Sequence, residues 1–276
     1  MPVTAPAGSY QWMRVHLIQP DTAWHDRAAN HAKAAALVAA AKPAAGDLLV
    51  LPEMFAVGFS MDVAAAVDAD GQTEQFLAGL AAQYDASVIG GNVIRPDARG
   101  RNVAEVFAGR RKIARYAKIH PFGYAGETDH YAGGDGVCVF PLGDFTAAAF
   151  VCYDLRFPEI FRAATAGGAE LLVVIANWPA ARVAHWLALL TARAIENQAY
   201  VVGVNRAGRD PNVAYPGRSV VIDPRGVTVA DAGEAEGFVT ARLDRAALCD
   251  YRRHFPALAD ARFVHNSAPV NGPLPG

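Results

Sequence analysis

Three reactive side chains of this chain each come directly after a short apolar run typical of a buried strand. They are Glu53 after residues 48–52, Lys118 after residues 113–117 and Cys152 after residues 145–151. Side chains at strand ends converge on one rim of an α/β sheet, which is where such folds keep their sites. We therefore expect these three side chains to meet.

Together these residue types could cleave an acyl–nitrogen bond. The thiol of Cys152 can attack an acyl carbon once a base takes its proton, and Glu53 is the candidate base. The ammonium of Lys118 is expected to lower the pKa of the thiol and to stabilise the oxyanion. The backbone N–H of Tyr153, directly after the nucleophile, is the candidate second oxyanion donor. The pattern thus predicts amide hydrolysis through a thioester.

Each of the three residues also has an ordinary structural explanation. A glutamate at a strand end is often an exposed cap, and a lysine after a hairpin usually lies at the surface. A cysteine in apolar sequence is commonly an inert core residue. Spacing alone leaves both interpretations open.

Strand and helix patterns alternate along the chain, which predicts an α/β fold in which helices cover sheets. Predicted strands cover residues 15–19, 47–51, 87–94, 103–107, 113–116, 145–151, 171–176, 200–205, 219–222, 227–230 and 238–243. Predicted helices cover residues 22–41 after a cap at Asp21, then 72–84, 158–166, 183–197, and 245–254 after a cap at Asp244. Residues 117–136 are predicted to form a loop. Without a linker or repeat, we expect a flexible extension over residues 1–12 and a single domain over residues 13–276.

The bulk composition argues against several classes of protein. The 276 residues are 53% hydrophobic with a formal net charge of −2, so we expect a large core and no nucleic-acid partner, because phosphate binding needs clustered Lys and Arg. No apolar run approaches the ~20 residues of a membrane span. The widely spaced Cys138, Cys152 and Cys249 predict free thiols in a reducing, cytoplasmic setting. No His or Cys pair has ligand spacing, so no metal site is expected.

Five longer segments carry a resemblance to a known family. They are residues 51–61 (LPEMFAVGFSM), 116–120 (YAKIH), 152–158 (CYDLRFP), 176–180 (ANWPA) and 192–202 (ARAIENQAYVV). Over residues 13–265 the chain resembles the nitrilase superfamily of carbon–nitrogen hydrolases. This resemblance implies a four-layer α-β-β-α sandwich that needs no metal or organic cofactor. It also implies Glu53 as general base, Lys118 as oxyanion stabiliser, Cys152 as nucleophile, and Glu127 orienting Lys118 and the attacking water.

Within that superfamily the chain looks most like the omega-amidase branch, whose members hydrolyse terminal amides of 2-oxo dicarboxylic acids such as 2-oxoglutaramate. Such a substrate needs an anchor for its carboxylate. Arg156 is the candidate, because a guanidinium binds a carboxylate through two parallel hydrogen bonds. The alternative is that Arg156 pairs with Asp154 or Glu159 and only holds the turn.

Three aromatic residues, Phe122, Tyr131 and Trp178, are expected to border the substrate pocket. A core position for Trp178 is an equally good interpretation. His120, two residues after Lys118, is predicted to support the site through a hydrogen bond rather than to act as a base.

Two departures from the family pattern, at residues 120–124 (HPFGY) and at Arg218, leave the substrate open. The alternatives are an amidase for deaminated glutathione, another aliphatic amidase or N-carbamoyl hydrolase, and a cysteine-dependent acyltransferase. A binding protein without catalysis is a further alternative. The resemblance also implies a homodimer that pairs through helices 158–166 and 183–197.

Overall fold

Strands and helices alternate through the computed structural model of the chain, which describes residues 12–262 and 270–274. The expected extension over residues 1–12 lies outside the described residues, except for Trp12. In chain order the strands are β1 (Trp12–Gln19), β2 (Leu48–Val50), β3 (Ser87–Ile94), β4 (Arg101–Ala108), β5 (Arg111–Ala117), β6 (Val137–Leu142), β7 (Phe145–Val151), β8 (Leu171–Ala176), β9 (Tyr200–Asn205), β10 (Ala207–Arg209), β11 (Ala214–Pro216), β12 (Val220–Ile222), β13 (Thr228–Asp231), β14 (Gly237–Asp244) and β15 (Val270–Asn271). The α-helices are α1 (Arg27–Ala41), α2 (Val63–Ala66), α3 (Gln72–Tyr84), α4 (Glu127–His130), α5 (Pro158–Ala166), α6 (Val183–Asn197) and α7 (Arg245–His254).

The strands form two large sheets and one small hairpin. The first sheet has the order β14-β1-β2-β3-β4-β5, and the second has the order β13-β12-β9-β8-β7-β6-β15. In the centre of the first sheet β1, β2 and β3 run parallel, and in the centre of the second β7, β8 and β9 do so. The hairpin pairs β10 with β11. Glu53 follows β2 and Cys152 follows β7, so each lies at the carboxyl end of a central parallel strand.

The two sheets pack face to face, and helices cover their outer faces. Across the middle, β1 contacts β9, β4 contacts β7, and β5 contacts β6. Helices α1 and α3 lie on the first sheet, whereas α5 and α6 lie on the second. Every residue of β8 and β9 is buried, because these strands are covered on both faces. The predicted four-layer α-β-β-α sandwich is confirmed.

The start of α1 differs from the prediction. The helix begins at Arg27, and its cap is Asp26, whose side chain accepts a hydrogen bond from the backbone N–H of Ala29 at 2.9 Å. Asp21 instead accepts from Arg206. The end of the helix at Ala41 is as predicted.

Residues 117–136, predicted as a loop, contain two short helical pieces. A 3₁₀ turn over Gly123–Ala125 leads directly into the single-turn helix α4. This pair of turns carries Glu127 back towards Lys118. A further difference is β6, over a stretch for which no strand is predicted.

Candidate active site

Glu53 is held in a fully buried bend that follows β2. The backbone of this bend lies against β3, where Gly91 donates a hydrogen bond to the carbonyl of Pro52 at 3.1 Å. A Cβ atom on Gly91 would stand 2.4 Å from the Met54 nitrogen and 2.6 Å from Glu53 Cα. Only a glycine allows this approach, and Met54 itself has a positive φ of 42°. The position of the Glu53 carboxylate is therefore fixed by tight backbone packing.

Lys118 lies between two glutamates, just after β5. Its Nζ donates to Glu53 Oε1 at 2.9 Å and to Glu127 Oε2 at 2.8 Å. The side-chain amide of Asn102 repeats this bridge, because its Nδ2 donates to Glu53 Oε1 at 2.7 Å and to Glu127 Oε1 at 3.0 Å. The N–H of Phe122 donates to Glu127 Oε2 at 2.6 Å. Lys118 has three N–H donors, so one remains for a ligand.

Cys152 occupies a strained turn between β7 and a 3₁₀ turn over Cys152–Arg156. Its φ is 51°, in the left-handed region that residues other than glycine rarely adopt. Its carbonyl and thiol therefore leave the strand at an unusual angle, as in other nucleophile turns. The N–H of Tyr153 lies in the first turn of the 3₁₀ segment, where backbone donors lack partners within the helix.

A buried carboxylate, Asp154, holds this turn in place. Its Oδ2 accepts from Tyr116 Oη at 2.8 Å and from the Val151 N–H at 3.2 Å. Its Oδ1 accepts from the His120 N–H at 3.0 Å and lies 2.8 Å from His120 Nδ1. The hydrogen-bonding place of His120 beside the turn matches the interpretation of its sequence position.

Asn177, which follows β8, joins the two sheets at the site. Its N–H donates to Glu53 Oε2 at 2.8 Å, and its Nδ2 donates to the Glu53 carbonyl at 2.7 Å. Its own carbonyl lies 3.9 Å from Cys152 Sγ. The base and the thiol, which come from different sheets, are thereby brought to one point.

The charges of the buried groups determine the state of the thiol. Burial, followed by the charge of Glu53, raises the pKa of Cys152 well above its ordinary value, although Lys118 acts in the opposite direction. Lys118 thus lowers the pKa of the thiol, as expected, but burial and the carboxylates outweigh it, and the net change is upward. Burial also acts to lower the pKa of Lys118, but the carboxylates of Glu127 and Glu53 outweigh it and raise that pKa. The resting site thus holds a charged ammonium and a protonated thiol.

A cavity of about 260 Å³ opens over Cys152. Half of its wall is aromatic or amide-bearing, and two arginines and one aspartate also contribute. The lining residues are Phe59, Met61, Phe122, Tyr124, Ala125, Cys152, Tyr153, Arg156, Asn177, Trp178, Pro179, Arg182, Asp210, Asn212, Val213 and Tyr215. Of the residues expected at the pocket, Phe122, Trp178 and Arg156 lie on this wall.

Tyr131 does not lie on the cavity wall. Its side chain is fully buried, and its hydroxyl donates to the Ser60 carbonyl at 2.7 Å. Its backbone N–H closes the turn of α4 on the carbonyl of Glu127 at 2.8 Å. The prediction that Tyr131 borders the pocket is wrong, because α4 turns this ring into the first-sheet side of the core.

Arg156 lies on the cavity wall and has no carboxylate partner among the residues that the structure describes. Its guanidinium carbon lies 5.0 Å from the Trp178 ring centre and 5.9 Å from that of Tyr153, and its Nη2 is 3.3 Å from His185 Nδ1. Among the described residues it pairs with neither Asp154 nor Glu159, so the turn is not held in that way. Trp178 is both a core residue and a pocket residue, because it is only 2% exposed and still contributes to the cavity wall.

Sequence reasoning missed three residues of this site. Asn102, Asn177 and Asp154 were not among the candidate functional residues, yet all three are buried and hydrogen-bonded to the reactive groups or their turn. Asn102 lies inside a strand, where nothing local marks it. Asn177 carried a signal, because it follows a fully apolar strand just as Cys152 does.

A family model described as carbon–nitrogen hydrolase matches residues 14–253. The chain belongs to the carbon–nitrogen hydrolase family. The resemblance found in the sequence is thus confirmed, and the protein is a hydrolase acting on carbon–nitrogen bonds of amides.

Known relatives of this hydrolase narrow the comparison. It is 40% identical over 218 residues to the omega-amidase YafV of Escherichia coli K12, covering 78% of this chain and 84% of that protein. It is 34% identical over 220 residues to the 2-oxoglutaramate amidase of Bacillus subtilis 168, covering 78% and 85%. The crystal structure of XC1258 from Xanthomonas campestris, a CN-hydrolase superfamily protein with an arsenic adduct in its active site, superposes with a TM-score of 0.86 at 35% identity, covering 91% and 98%.

None of the helices within the described residues of the hydrolase combines the length and the apolar composition that a membrane span requires.

Proposed function

We propose that this hydrolase converts the terminal amide of a 2-oxo dicarboxylic acid, of the 2-oxoglutaramate or 2-oxosuccinamate type, into the acid and ammonia. The observation that carries the proposal is a thiol beside a carboxylate base in a cavity whose wall also carries Arg156, which pairs with no carboxylate in the described part of the chain. The names of the E. coli and B. subtilis relatives support the same substrate class.

The first step is attack of Cys152 Sγ on the amide carbon. Because the thiol is protonated at rest, its proton must leave as the C–S bond forms, and Glu53 accepts it. Glu53 Oε1 already accepts from Lys118 and Asn102, whereas Oε2 accepts its one short bond from the Asn177 N–H. Oε2 also receives a long bond of 3.4 Å from Asn177 Nδ2, the weakest of these contacts and the one that the incoming proton can replace.

The oxyanion that forms is stabilised from two sides. The third N–H of Lys118 and the backbone N–H of Tyr153 are the donors. Both Glu53 and Glu127 fix the ammonium in position, so it need not reorient when charge develops on the substrate. The pKa of Lys118 is raised, so this residue acts as a fixed cation and transfers no proton.

Collapse of the intermediate breaks the carbon–nitrogen bond. Glu53 returns its proton to the nitrogen, ammonia leaves, and an acyl thioester on Cys152 remains. Water then enters, Glu53 removes its proton as it attacks the thioester carbon, and the acid leaves with the thiol restored. Glu127 contributes by orienting Lys118 and the water throughout.

Arg156 is proposed to bind the substrate carboxylate. Its guanidinium stacks on Trp178 and Tyr153, which leaves most of its N–H groups available for a bidentate contact. The cavity of about 260 Å³ lies just below the range of roughly 300–1,000 Å³ typical of ligand pockets. This size favours a compact amide over deaminated glutathione.

Ammonia release from 2-oxoglutaramate, deaminated glutathione and simple aliphatic amides tests this function. We expect turnover of 2-oxoglutaramate that is lost in Cys152→Ala and kept in the matched control Cys249→Ala, whose thiol lies on α7. Glu53→Gln and Lys118→Ala should lose several orders of magnitude in kcat. An Arg156→Lys variant with unchanged KM would remove the anchor role.

The same assay separates the alternatives. If the enzyme hydrolyses another amide but not 2-oxoglutaramate, the assignment of Cys152 as nucleophile stands and the proposed substrate is wrong. Acyl transfer to added hydroxylamine that exceeds hydrolysis would favour an acyltransferase.

The setting of the enzyme is also part of the proposal. We propose a cytoplasmic homodimer, supported by the free thiols of Cys138, Cys152 and Cys249 and by the adjacent outer helices α5 and α6. On α6 the side chain of Ile195 is 51% exposed, an unusual value for an isoleucine on a packed helix. Light scattering of Ile195→Glu beside the unchanged enzyme tests the dimer, and identical masses would count against this face.

A further inference from the structure

A second arginine, Arg182, lies on the wall of the cavity above Cys152. It ends the 3₁₀ turn over Ala180–Arg182 that follows β8, and its backbone is fixed because its carbonyl accepts from Trp178 Nε1 at 2.8 Å. Its guanidinium carbon lies 5.7 Å from the ring centre of Phe122 and 5.8 Å from that of Tyr124. The aromatic faces support the cation without using its N–H groups.

Arg182 has no carboxylate partner within the described part of the chain. None of its five N–H donors makes a hydrogen bond there, and no ion pair forms. Arg156, on the same wall, is bonded only through His185 Nδ1. Two guanidiniums therefore line one small cavity, and neither forms an ion pair with a carboxylate of the described residues.

The one carboxylate on the cavity wall is already satisfied by its own loop. Asp210 Oδ1 accepts from the N–H groups of Asn212 and Val213, both at 2.7 Å, and Oδ2 accepts from Tyr215 Oη at 2.6 Å. Its oxygens are occupied by this loop, and among the described residues it makes no hydrogen bond or ion pair with Arg156 or Arg182. The N–H groups of both arginines are therefore available to acceptor oxygens of a ligand.

We infer that Arg182 recognises the group at position 2 of the substrate by donating hydrogen bonds to it, next to the carboxylate that Arg156 binds. This inference rests on the proposed function. One guanidinium is sufficient for one carboxylate, so a second cation is explained by an acceptor oxygen beside it. A 2-oxo group is such an acceptor, and the 2-ammonium of an amino acid is the opposite: it would face two positive charges in a small cavity. Arg182 thereby selects 2-oxo acid amides and rejects glutamine.

Three amides that differ only at position 2 test this role: 2-oxoglutaramate, glutaramate without a substituent, and glutamine. In Arg182→Met we expect KM for 2-oxoglutaramate to rise roughly ten- to a hundredfold, the range for losing hydrogen bonds from a charged donor. KM for glutaramate should change by less than about threefold, and discrimination against glutamine should narrow, because only position 2 has lost its partner. Arg182→Lys keeps the charge, so it should still reject glutamine.

A matched control and a binding readout complete the design. Arg225 also stacks on a tyrosine, at 4.7 Å from the Tyr251 ring centre, but lies outside the cavity wall, so Arg225→Met should change none of the three values. Calorimetric titration of Cys152→Ala and of its Arg182→Met double variant with 2-oxoglutaramate and glutaramate measures affinity without turnover. The double variant should lose affinity for 2-oxoglutaramate selectively.

The possible results distinguish this role from the proposed function. If the unchanged enzyme hydrolyses 2-oxoglutaramate and Arg182→Met weakens all three amides equally, Arg182 only shapes the wall and the inference is overturned while the function stands. If the unchanged enzyme neither binds nor hydrolyses 2-oxoglutaramate, the function fails and the inference fails with it.

Discussion

Asp154→Asn should destabilise the turn that carries the nucleophile, although the two side chains have nearly the same shape. The Asp154 carboxylate is fully buried and faces four groups, two on each oxygen. An asparagine keeps one oxygen and replaces the other by an NH₂ donor. With the NH₂ towards β7 it meets the N–H of Val151, and with the NH₂ towards His120 it meets that residue's N–H.

Either orientation leaves one buried backbone N–H without an acceptor. The cost of such a group is about 1–3 kcal/mol, and the remaining bonds lose the strength that the negative charge gave them. We therefore expect the free energy of unfolding to fall by about 2–4 kcal/mol. The left-handed backbone of Cys152 stores a further roughly 1–3 kcal/mol that the turn must resist, so kcat should fall as well.

Urea unfolding and steady-state kinetics measure the two effects. Asp144→Asn, in the exposed turn before β7, is the matched control and should leave both values unchanged. Tyr116→Phe removes only one of the four contacts and should cost about 1–1.5 kcal/mol. An Asp154→Asn enzyme whose stability lies within about 0.5 kcal/mol of the unchanged protein would refute the idea that this carboxylate holds the turn.

Three further predictions concern the thiol, the base and acid stability. Because burial and Glu53 raise the pKa of Cys152, the rate of its alkylation by iodoacetamide should rise continuously as the pH is raised from 6 to 9, a range of about three decades in proton concentration. Intact-mass measurements give this rate, and a rate that does not change with pH would contradict a protonated thiol. Gly91→Ala should lower kcat far more than Gly79→Ala, because a Cβ at Gly91 would clash with the bend that carries Glu53, whereas a Cβ at Gly79 would point into open space. Equal kcat values of the two variants would argue against a role of Gly91 in positioning Glu53. Burial, with a smaller effect from Arg27, lowers the pKa of His31 to about 4, below its usual value of about 6.5. The unfolded chain therefore binds more protons between these values, so the protein should lose stability as the pH falls from about 6.5 towards 4. His31→Phe preserves the stacking on Phe76, and its urea midpoints should fall less over this pH range than those of the unchanged protein. An equal fall in both proteins would exclude His31 as the source.

The helices and strands of this fold are largely predictable from the sequence, because the patterns that mark them lie within each element or directly beside it. The bounds of α3, α5 and α6 were predicted to the residue, since apolar periodicity marks all three and Gly71, Pro158 and Gly167 mark ends of two of them. Strand β6 was missed because Pro141 interrupts its apolar pattern, although its exposed position lets the proline remain in the strand. At α1 two aspartates compete for the cap, and the choice of Asp26 follows from the engagement of Asp21 with Arg206, far along the chain.

The candidate site was predictable where reactive residues end strands and unpredictable where distant partners decide. Glu53, Lys118, Glu127 and Cys152 come together in the structure as expected. The net rise in the pKa of Cys152 was not predictable, because it comes first from burial of the thiol and then from the nearby carboxylates, which together outweigh Lys118. Likewise nothing near Asn102 in the sequence indicates that its amide will bridge two glutamates.

The contact between Asn177 and Glu53 joins the two sheets at the reactive groups, so changes there have different consequences from changes in the cavity wall. The groups proposed to break the bond stand on or beside strand ends and are tied across both sheets, so altering one displaces the rest. Most of the cavity wall instead comes from segments around residues 59–61, 122–125, 178–182 and 210–215, and only Cys152, Tyr153, Arg156 and Asn177 come from the frame itself. Selection or engineering can therefore exchange these segments to admit a different amide while the hydrolytic frame stays intact. One bond-breaking centre can in this way serve many metabolites across evolution.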